Sequence, residues 1–282
     1  MKKILLTPII FMPLKYFSIL WLYCYTPNLL ANEQEKIAFY LPFHSSQFSI
    51  NLDRLNEDFK HTGFDNFTIK TSDIWQQYQQ NIRTGESGVY FASPHFAAWL
   101  INQHNFVPLL RLDSQLKFVI ASKVSDKSVF ELSDLIDKKI CTQSPLNLDY
   151  LLINSAYKRS IQIPDAHLVI SVKEEFDDPE SHCSAFSISE HIYLQHESEA
   201  PNQFIRLAQS KVFNNYAFLI HPSLAKEYSL PLITFLSKES SQQELNPFLK
   251  LFSQKTSFIE AKASDYPKEY LEELSSYWTK NE

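Results

Sequence analysis

Glycine is scarce in this sequence: only Gly63, Gly85 and Gly88 occur among its 282 residues. The dinucleotide-binding motif GxGxxG, the phosphate-binding loop GxxxxGK[ST] and the nucleophile elbow GxSxG each need glycines at fixed spacings. The three positions satisfy none of these motifs, and the zinc-protease motif HExxH is absent as well. The sequence therefore lacks the local motifs of Rossmann dehydrogenases, P-loop NTPases, α/β-hydrolases and zincins.

The chain also lacks an excess of basic residues. It has 26 Lys and Arg against 32 Asp and Glu, a formal net charge of −6. Without the first 31 residues, which contain three lysines and no acid, the formal charge is −9. A nucleic-acid partner requires a basic surface that neutralises phosphates, so we expect no such partner.

Long apolar runs are confined to the N-terminus. Mostly apolar residues fill positions 4–14 and 16–25, on either side of Lys15, and Ala31 precedes a polar segment. A basic start, an apolar stretch and a small residue before a polar run are typical of a secretory signal peptide. We therefore predict that residues 1–31 are a signal peptide that is removed on export. The alternative is an uncleaved anchor, which needs about 20 uninterrupted apolar residues.

The remaining chain alternates short apolar runs with helical patterns. Strands are predicted over residues 36–43, 67–70, 88–92 and 106–112, and helices over residues 75–83 and 96–103. Apolar residues on one helical face predict a further helix over residues 48–59, with Gly63 near its C-cap. Repeated strand–helix units favour parallel sheets covered by helices, so the predicted fold class is α/β.

A second run of the same kind follows. Strands are predicted over residues 116–121, 139–142, 167–172, 184–189, 204–207 and 216–220. A helix over residues 129–137 is expected to begin at Ser128, because Glu131 three residues later completes a capping box. Another helix is predicted over residues 148–157, and helical patterns occupy roughly the last 50 residues.

Three segments of the chain resemble one protein family. In residues 88–99 (GVYFASPHFAAW), a strand leads through a Ser-Pro-His loop into a helix that carries Trp99. Residues 129–150 (VFELSDLIDKKICTQSPLNLDY) and 181–189 (SHCSAFSIS) are similar to passages of the family's second lobe. With these segments the sequence resembles the type II periplasmic solute-binding proteins of the phosphate/phosphite/phosphonate ABC-transporter group, from about residue 36 to residue 225.

The resemblance implies a two-lobed fold in which each lobe is a mostly parallel sheet flanked by helices. Residues 32–120 would form the first lobe and residues 121–203 the second, and residues 204–282 would return to the first lobe. A ligand would lie in the cleft between the lobes, which would close around it by hinge motion.

Loops at the carboxyl ends of parallel strands line such clefts, which selects the candidate ligand residues. They are Tyr40, Phe43, His44, Ser93 and His95 in the first lobe, and Thr142, Ser144, Asn147 and Ser184 in the second. In a chain with 22 Phe and 14 Tyr, the aromatic candidates can equally belong to the core. The sequence departs from the family around Asn147, where members carry a Ser/Thr/Gly cluster, and at Ser184, where they carry an acid.

Two of these segments, at Ser93 and at Ser144, begin a helix with a Ser-Pro pair. The N–H groups of a first helical turn can hold an anion, so the resemblance implies an anion clamp with one half in each lobe. The structural alternative is an ordinary N-cap followed by proline at the first helical position. Lys123, on the crossover, can add a positive charge at the cleft mouth or simply be solvated.

Cys141 and Cys183 are the cysteines that remain after the predicted cleavage. The resemblance implies that their strands lie side by side. An oxidising compartment then favours a disulfide between them. The alternative is two buried thiols.

The resulting hypothesis is a periplasmic, monomeric and non-catalytic protein that captures a small anionic or polar ligand for an ABC transporter. No cofactor and no metal are expected, because the histidines are scattered. The alternative is a lobe pair that senses a ligand or binds a protein and signals to a membrane partner. A secreted enzyme has less support, because no local motif offers a nucleophile–base pair or paired carboxylates.

Overall fold

Two β-sheets, joined by two chain crossings, organise the computed structural model of this protein. The structure describes residues 36–42, 57, 60–61, 64–71, 75–143, 147–158, 162, 164–169, 171–238, 241, 245–246, 249–250, 252–253, 255–272, 274 and 278. Three candidate ligand residues lie outside this set: Phe43, His44 and Ser144. The predicted signal peptide and most of the predicted helix over residues 48–59, with Gly63, lie outside it as well.

The described residues form the following elements in chain order. The strands are β1 (Ile37–Leu41), β2 (Phe67–Thr71), β3 (Val89–Ala92), β4 (Val107–Leu112), β5 (Gln115–Leu116), β6 (Phe118–Lys123), β7 (Lys139–Thr142), β8 (Asp165–Leu168), β9 (Ala185–Ser189), β10 (Phe204–Gln209), β11 (Phe213–Asn214), β12 (Ala217–Ile220) and β13 (Phe258–Glu260). The α-helices are α1 (Trp75–Thr84), α2 (Pro94–His104), α3 (Leu148–Ala156), α4 (Val172–Asp177), α5 (Glu190–Glu199) and α6 (Pro222–Leu236). Short 3₁₀ helices occupy Leu132–Leu135, Ala263–Asp265 and Lys268–Leu271.

The first sheet has the strand order β13-β4-β12-β3-β1-β2. β1 is parallel to β2 and β3, whereas β12 runs antiparallel to β3 and β4. All residues of β3 and β12 are buried. Strands that are covered on both faces appear in a sequence as continuous apolar runs, and this pattern underlies the predictions over residues 88–92 and 216–220.

The second sheet has the strand order β10-β6-β9-β7-β8. β7 is parallel to β8 and β9, and β6 is antiparallel to β9 and β10. Both sheets are therefore mixed, with a parallel part that is flanked by helices. This arrangement confirms the predicted two-lobed α/β fold. The sheets are not mostly parallel as predicted, because β12 and β6 run antiparallel to the strands on both of their sides.

Apolar residues pack on both faces of each sheet. In the first sheet, Tyr40 and Tyr90 belong to one core cluster, and Phe39 and Phe91 belong to the other. Neighbouring residues of a strand point to opposite faces, which explains the alternation. In the second sheet, one cluster includes residues of α4 and α5 and the opposite cluster includes residues of α3.

Both chain crossings pass through an antiparallel ribbon that consists of β5 and β11. Gln115 pairs with Asn214, and Leu116 pairs with Phe213. One crossing leaves β4 and enters β6, and the other leaves β10 and enters β12. The ribbon is therefore the connection between the two lobes.

Strand pairing sets the extent of the second sheet. β6 begins at Phe118, and β10, which ends at Gln209, pairs with it. The second sheet therefore spans residues 118–209, whereas the predicted second lobe covers residues 121–203. The difference arises because residues 204–209 form their ladder with β6 and not with a strand of the first sheet.

The predicted helix over residues 129–137 is shorter in the structure, which has only the 3₁₀ turn Leu132–Leu135 there. Ser128 does not begin it, because the Ser128 N–H donates backwards to Asp126 Oδ1 at 3.0 Å. The capping box is formed by Glu131 and Asp134 instead. Asp137, with a φ of 64°, is in the left-handed region directly after this segment.

A disulfide joins Cys141 of β7 to Cys183, which precedes β9. The two Cα atoms are 5.7 Å apart, within the range that a disulfide needs. Both cysteines are buried. The bond spans 42 residues of sequence, which include α3, β8 and α4, and it ties this segment to the centre of the second sheet.

Replacing both cysteines by alanine should lower the free energy of unfolding by roughly 3–4 kcal/mol, because the unfolded chain regains the entropy of an open loop. Denaturant unfolding of the oxidised wild type and the variant measures this difference. Each single variant should lose about as much as the double variant, since either substitution breaks the bond. Equal stability of the wild type and the double variant would contradict the expectation.

Candidate functional site

One edge of each sheet meets the ribbon of β5 and β11. In the first sheet, β1, β2 and β3 end at this edge and β12 begins there, since Ala217 pairs with Ala92. In the second sheet, β7 and β9 end at the corresponding edge and β6 begins there, since Phe118 pairs with Ser189. We call these the first and second cleft edges. Because the ribbon joins them directly, they lie opposite each other.

On the first cleft edge, Ser93 and His95 lie at the start of α2. Pro94 occupies the first turn, and Ser93 Oγ makes no capping bond but lies 3.2 Å from His95 Nδ1. Both side chains are buried, and the His95 ring packs against Phe96 with the ring centroids 4.1 Å apart. The Ser93 hydroxyl is thus engaged with the imidazole and not with the N–H groups of the helix.

On the second cleft edge, β7 ends at Thr142 and α3 begins after Asn147. Thr142 Oγ1 and the Gln143 N–H both donate to Asp149 Oδ2, at 3.0 and 2.8 Å. Burial raises the pKa of Asp149 to about 6, and these hydrogen bonds oppose the rise. Asn147 makes no capping bond, and its amide lies 3.5 Å from Gln143 Oε1. A carboxylate of the chain itself therefore lies at the start of α3.

The serines of the β9 segment lie at different distances from this edge. Ser184 precedes the strand at its far end, where its carbonyl accepts a hydrogen bond from Ser122 Oγ at 2.7 Å. Ser189 is the last residue of β9, roughly 16 Å further along the strand. Ser187 donates to the carbonyl oxygen of Asp149 at 2.7 Å, so Ser189, on the same face, lies beside the start of α3. The strand direction thus puts Ser189, and not the predicted Ser184, on the second cleft edge.

Ser189 Oγ is buried and has no hydrogen-bond partner within the described part of the chain. Ser189 precedes α5 but does not cap it with its side chain. Buried hydroxyl groups normally have a partner. The unpaired oxygen is therefore a candidate contact for a ligand.

Tyr40 belongs to the same sheet as the first cleft edge, but its hydroxyl points away from that edge. It donates to Glu86 Oε1 at 2.7 Å, and its ring stacks on Tyr90 with the centroids 4.5 Å apart. Glu86 precedes β3 and so lies at the opposite end of the strands. A Cβ atom at Gly88 would lie 2.9 Å from the Tyr40 ring, so the glycine makes room for this side chain. We therefore assign Tyr40 to the core.

Side chains of the two lobes meet near the ribbon. Tyr216 precedes β12 on the first cleft edge, and burial together with the Asp149 carboxylate raises its pKa above the ordinary range. The Asp149 carboxylate of the second lobe thus acts electrostatically on a residue of the first. Leu148 and Leu151 of α3 also belong to the same apolar cluster as Tyr78 of the first lobe. The start of α3 therefore packs towards the first lobe.

Asp149, Ser189 and Tyr216 were not among the predicted site residues. Asp149 has a recognisable signal, because it is an acidic residue in the first turn of a predicted helix. Ser189 is the last residue of a predicted strand, so the carboxyl-end rule that selected the other candidates applies to it as well. Tyr216 has no local signal, since its position depends on the antiparallel return of β12.

Within residues 36–42, 64–71, 75–143 and the other described segments, no three His, Cys, Asp or Glu side chains are placed to hold a metal ion. In the same part of the chain, no helix has the length and apolar character needed to cross a membrane. Among the described residues, the cleft edges carry hydroxyl, imidazole and phenol groups, the Asp149 carboxylate, and Glu190 next to Ser189, which forms an ion pair with Lys117 at 3.1 Å.

The raised pKa of Asp149 predicts that stability depends on pH. The native state keeps the proton up to about pH 6, whereas the unfolded chain loses it near the ordinary value of 3.8. Between these values the native state binds more protons, so the free energy of unfolding should fall as the pH rises from about 4 to 6. The loss should be on the order of 3 kcal/mol, and the contribution is fully present below about pH 4.

Denaturant unfolding of the wild type and of Asp149→Asn across this pH range tests the effect, because asparagine keeps an acceptor but does not titrate. Asp165→Asn, on the exposed residue of β8, is the matched control and should follow the wild type. A stability difference between the wild type and Asp149→Asn that stays constant with pH would contradict the assignment.

No family model matches this sequence, and no curated protein matches it either. Solved structures do match. A phosphonate-binding protein of Prochlorococcus marinus in complex with methylphosphonate has a TM-score of 0.62 and 12% identity, covering 88% of this chain and 99% of its own. A Xanthomonas citri protein bound to ATP has a TM-score of 0.61 and 16% identity, covering 87% and 97%.

The binding protein of an ABC phosphonate transporter from Pseudomonas aeruginosa is similar as well. Its TM-score is 0.59 at 13% identity, and the match covers 83% of this chain and 84% of that protein. At these identities the likeness concerns the fold. The chain has the two-lobed fold of the type II periplasmic binding proteins, as the resemblance of its sequence predicts.

Proposed function

We propose that this protein is an exported, monomeric and non-catalytic solute-binding protein that captures a small anionic or polar ligand between its lobes for an ABC transporter. One observation carries the proposal: the two cleft edges face each other across the ribbon, and each presents buried polar side chains. They are Ser93 and His95 on the first edge and Thr142 and Ser189 on the second. Ligand sites in proteins combine apolar walls with a few such polar groups.

The first cleft edge is the better place for an anion. The N–H groups in the first turn of a helix lack helical acceptors and carry a partial positive charge. Ser93 Oγ does not cap these groups in α2, because it bonds to His95. The His95 imidazole adds a side chain that can donate a hydrogen bond at the same place.

The second cleft edge suits the uncharged part of a ligand. The Asp149 carboxylate lies at the start of α3, and in its ionised form it repels a second anion there. Thr142 and Ser189 contribute hydroxyl groups, which can donate or accept hydrogen bonds. We therefore expect the anionic group of the ligand to lie against α2 and its other polar groups to lie against the second edge.

Export and transport rest on separate observations. Residues 1–31 have the layout of a signal peptide, and the disulfide between Cys141 and Cys183 suits an oxidising compartment such as the periplasm. Of the similar proteins, one binds methylphosphonate and another is a component of an ABC phosphonate transporter. This likeness supports phosphonates and related oxyanions as the first ligands to test, and an ABC permease as the partner.

A second candidate function is a lobe pair that senses a ligand or binds a protein for a membrane partner. The observation in its favour is the position of Leu148 and Leu151, which bring apolar side chains of α3 into the core cluster of the first lobe. Part of the space between the lobes is thus occupied by leucine. A transport protein must open this contact to admit its solute, whereas a protein-binding pair can keep it closed.

A thermal-shift screen with phosphate, phosphite, methylphosphonate, sulfonates and amino acids separates the candidates. A ligand that binds only the native state raises the Tm by mass action, and we expect an oxyanion to do so. Constant Tm with every compound would favour the protein-binding pair. Conversion of a compound into a product would favour an enzyme.

Three substitutions test where the ligand lies. His95→Ala should weaken binding of the ligand found in the screen by on the order of 1.5–3 kcal/mol, the cost of a lost hydrogen bond to a charged group. Asn147→Ala and Ser189→Ala, on the edge that holds the uncharged groups, should each weaken it by roughly 0.5–1.5 kcal/mol. Ser184→Ala is the matched control, because Ser184 lies at the far end of the same strand segment as Ser189, and its affinity should equal that of the wild type. Calorimetry measures all four variants. Wild-type affinity in all of them would put the site elsewhere.

A further inference from the structure

A cavity of about 360 Å³ lies in the second lobe, away from the cleft edges. Phe118, the first residue of β6, lies on the second cleft edge, and Lys123, the last residue, lines the cavity. The strand between them separates the two places by roughly 16 Å. We call this space the distal cavity. Lys123 was predicted at the cleft mouth, but it lies at the opposite end of β6.

Aromatic rings form one wall of the distal cavity. The rings of Phe176 and Phe204 are stacked with their centroids 4.0 Å apart. The His196 ring meets both of them edge-on, at centroid distances of 5.0 and 4.9 Å. An aromatic or branched apolar group can pack against this wall.

Lys123 brings a positive charge to the same cavity. Its Nζ donates to the carbonyl oxygen of Asp178 at 2.6 Å and lies 5.5 Å from the centroid of the Phe186 ring. Among the described residues, no carboxylate lies within ion-pair distance of this ammonium group. An ammonium group has three N–H donors, so two of them remain for a ligand.

Two acidic residues, Asp177 and Asp178, line the distal cavity together with Lys123, and each side chain is engaged by another group. Asp177 forms an ion pair with Lys173. Asp178 Oδ1 accepts the backbone N–H two residues further on, at 2.9 Å. Glu175 accepts the hydroxyl of Ser181 at 2.8 Å. The charge of Lys123 is therefore balanced only at longer range, by Asp178 and Glu175.

His196 supplies a second donor. Its Nδ1 is buried without a hydrogen-bond partner among the residues that the structure describes. Buried N–H groups without an acceptor are rarer than buried acceptors without a donor, so in the neutral ring the proton belongs on Nε2. The ring can then donate from Nε2, while Nδ1 keeps only a lone pair.

We propose that the distal cavity binds a small organic carboxylate with an aromatic or branched apolar body. The carboxylate accepts hydrogen bonds from Lys123 and His196, and the body packs against the part of the aromatic wall that is not fully buried, which Phe204 and the His196 ring provide. The volume is that of a small-molecule site, since such sites occupy about 300–1,000 Å³. This site is separate from the cleft edges and stands whether or not a solute binds there.

Three probes with the same ring and different charges test the proposal: benzoate, benzyl alcohol and benzylamine. Calorimetry or ligand-observed NMR with the full chain should find benzoate the tightest of the three. Lys123→Met should weaken benzoate binding about tenfold or more, because the ligand loses a hydrogen bond to a charged group. Lys123→Arg should retain most of the affinity, since it keeps the charge.

Two controls make the outcome specific. Lys127→Met removes an exposed lysine four residues away that does not line the cavity, and it should leave benzoate binding unchanged. Ser189→Ala, on the second cleft edge, should leave it unchanged as well. The proposal is overturned if benzoate does not bind, if benzylamine binds more tightly, or if Lys123→Met binds benzoate like the wild type. Loss of benzoate binding in Ser189→Ala would also overturn it, because the probe would then occupy the cleft.

Discussion

The pairing of the two chain crossings is the constraint on which the rest of the structure depends. Because β5 and β11 are hydrogen-bonded as one ribbon, both passages between the sheets occur at the same place, and one edge of each sheet must face it. Strand direction then decides which side chains reach that place: Ser93 follows β3, and Thr142 and Ser189 end β7 and β9. A ribbon of two residues per strand is also a short connection, as a hinge between two lobes requires.

The two cleft edges differ in charge, and this difference shapes what can bind between them. The start of α2 has no acidic residue in its first turn, whereas the start of α3 holds the buried carboxylate of Asp149. Under the proposed function, the anionic group of the ligand therefore lies on the side of α2 and not on the side of α3. A hinge opening of the kind proposed would expose Leu148 and Leu151, and burial of each leucine contributes on the order of 1.5–3 kcal/mol. A ligand has to offset that loss with its own contacts.

Each lobe is held together in its own way. The first has a dense aromatic core in which Tyr40 stacks on Tyr90, and Phe91 lies 4.6 Å from Phe218 between ring centroids. The second has the disulfide at Cys141, which restrains the loop that contains α3. The ribbon between the lobes is packed as well, because Leu116 and Phe213 are buried in the same core cluster as Tyr40 and Tyr90.

The amino-acid sequence by itself determined the class of fold and most of its elements. Buried strands such as β3 and β12 are continuous apolar runs, and Ser93-Pro94 is a local signal for the start of α2. The helix α5 has no such signal, because Tyr193 is its only buried residue and its other positions are mostly polar. The site was decided by tertiary structure. Whether Ser184 or Ser189 reaches the cleft depends on the direction of β9, and whether Tyr40 faces a ligand depends on the position of Glu86 in three dimensions. Local patterns record which residues are buried, but only the folded chain determines which neighbours they are buried against.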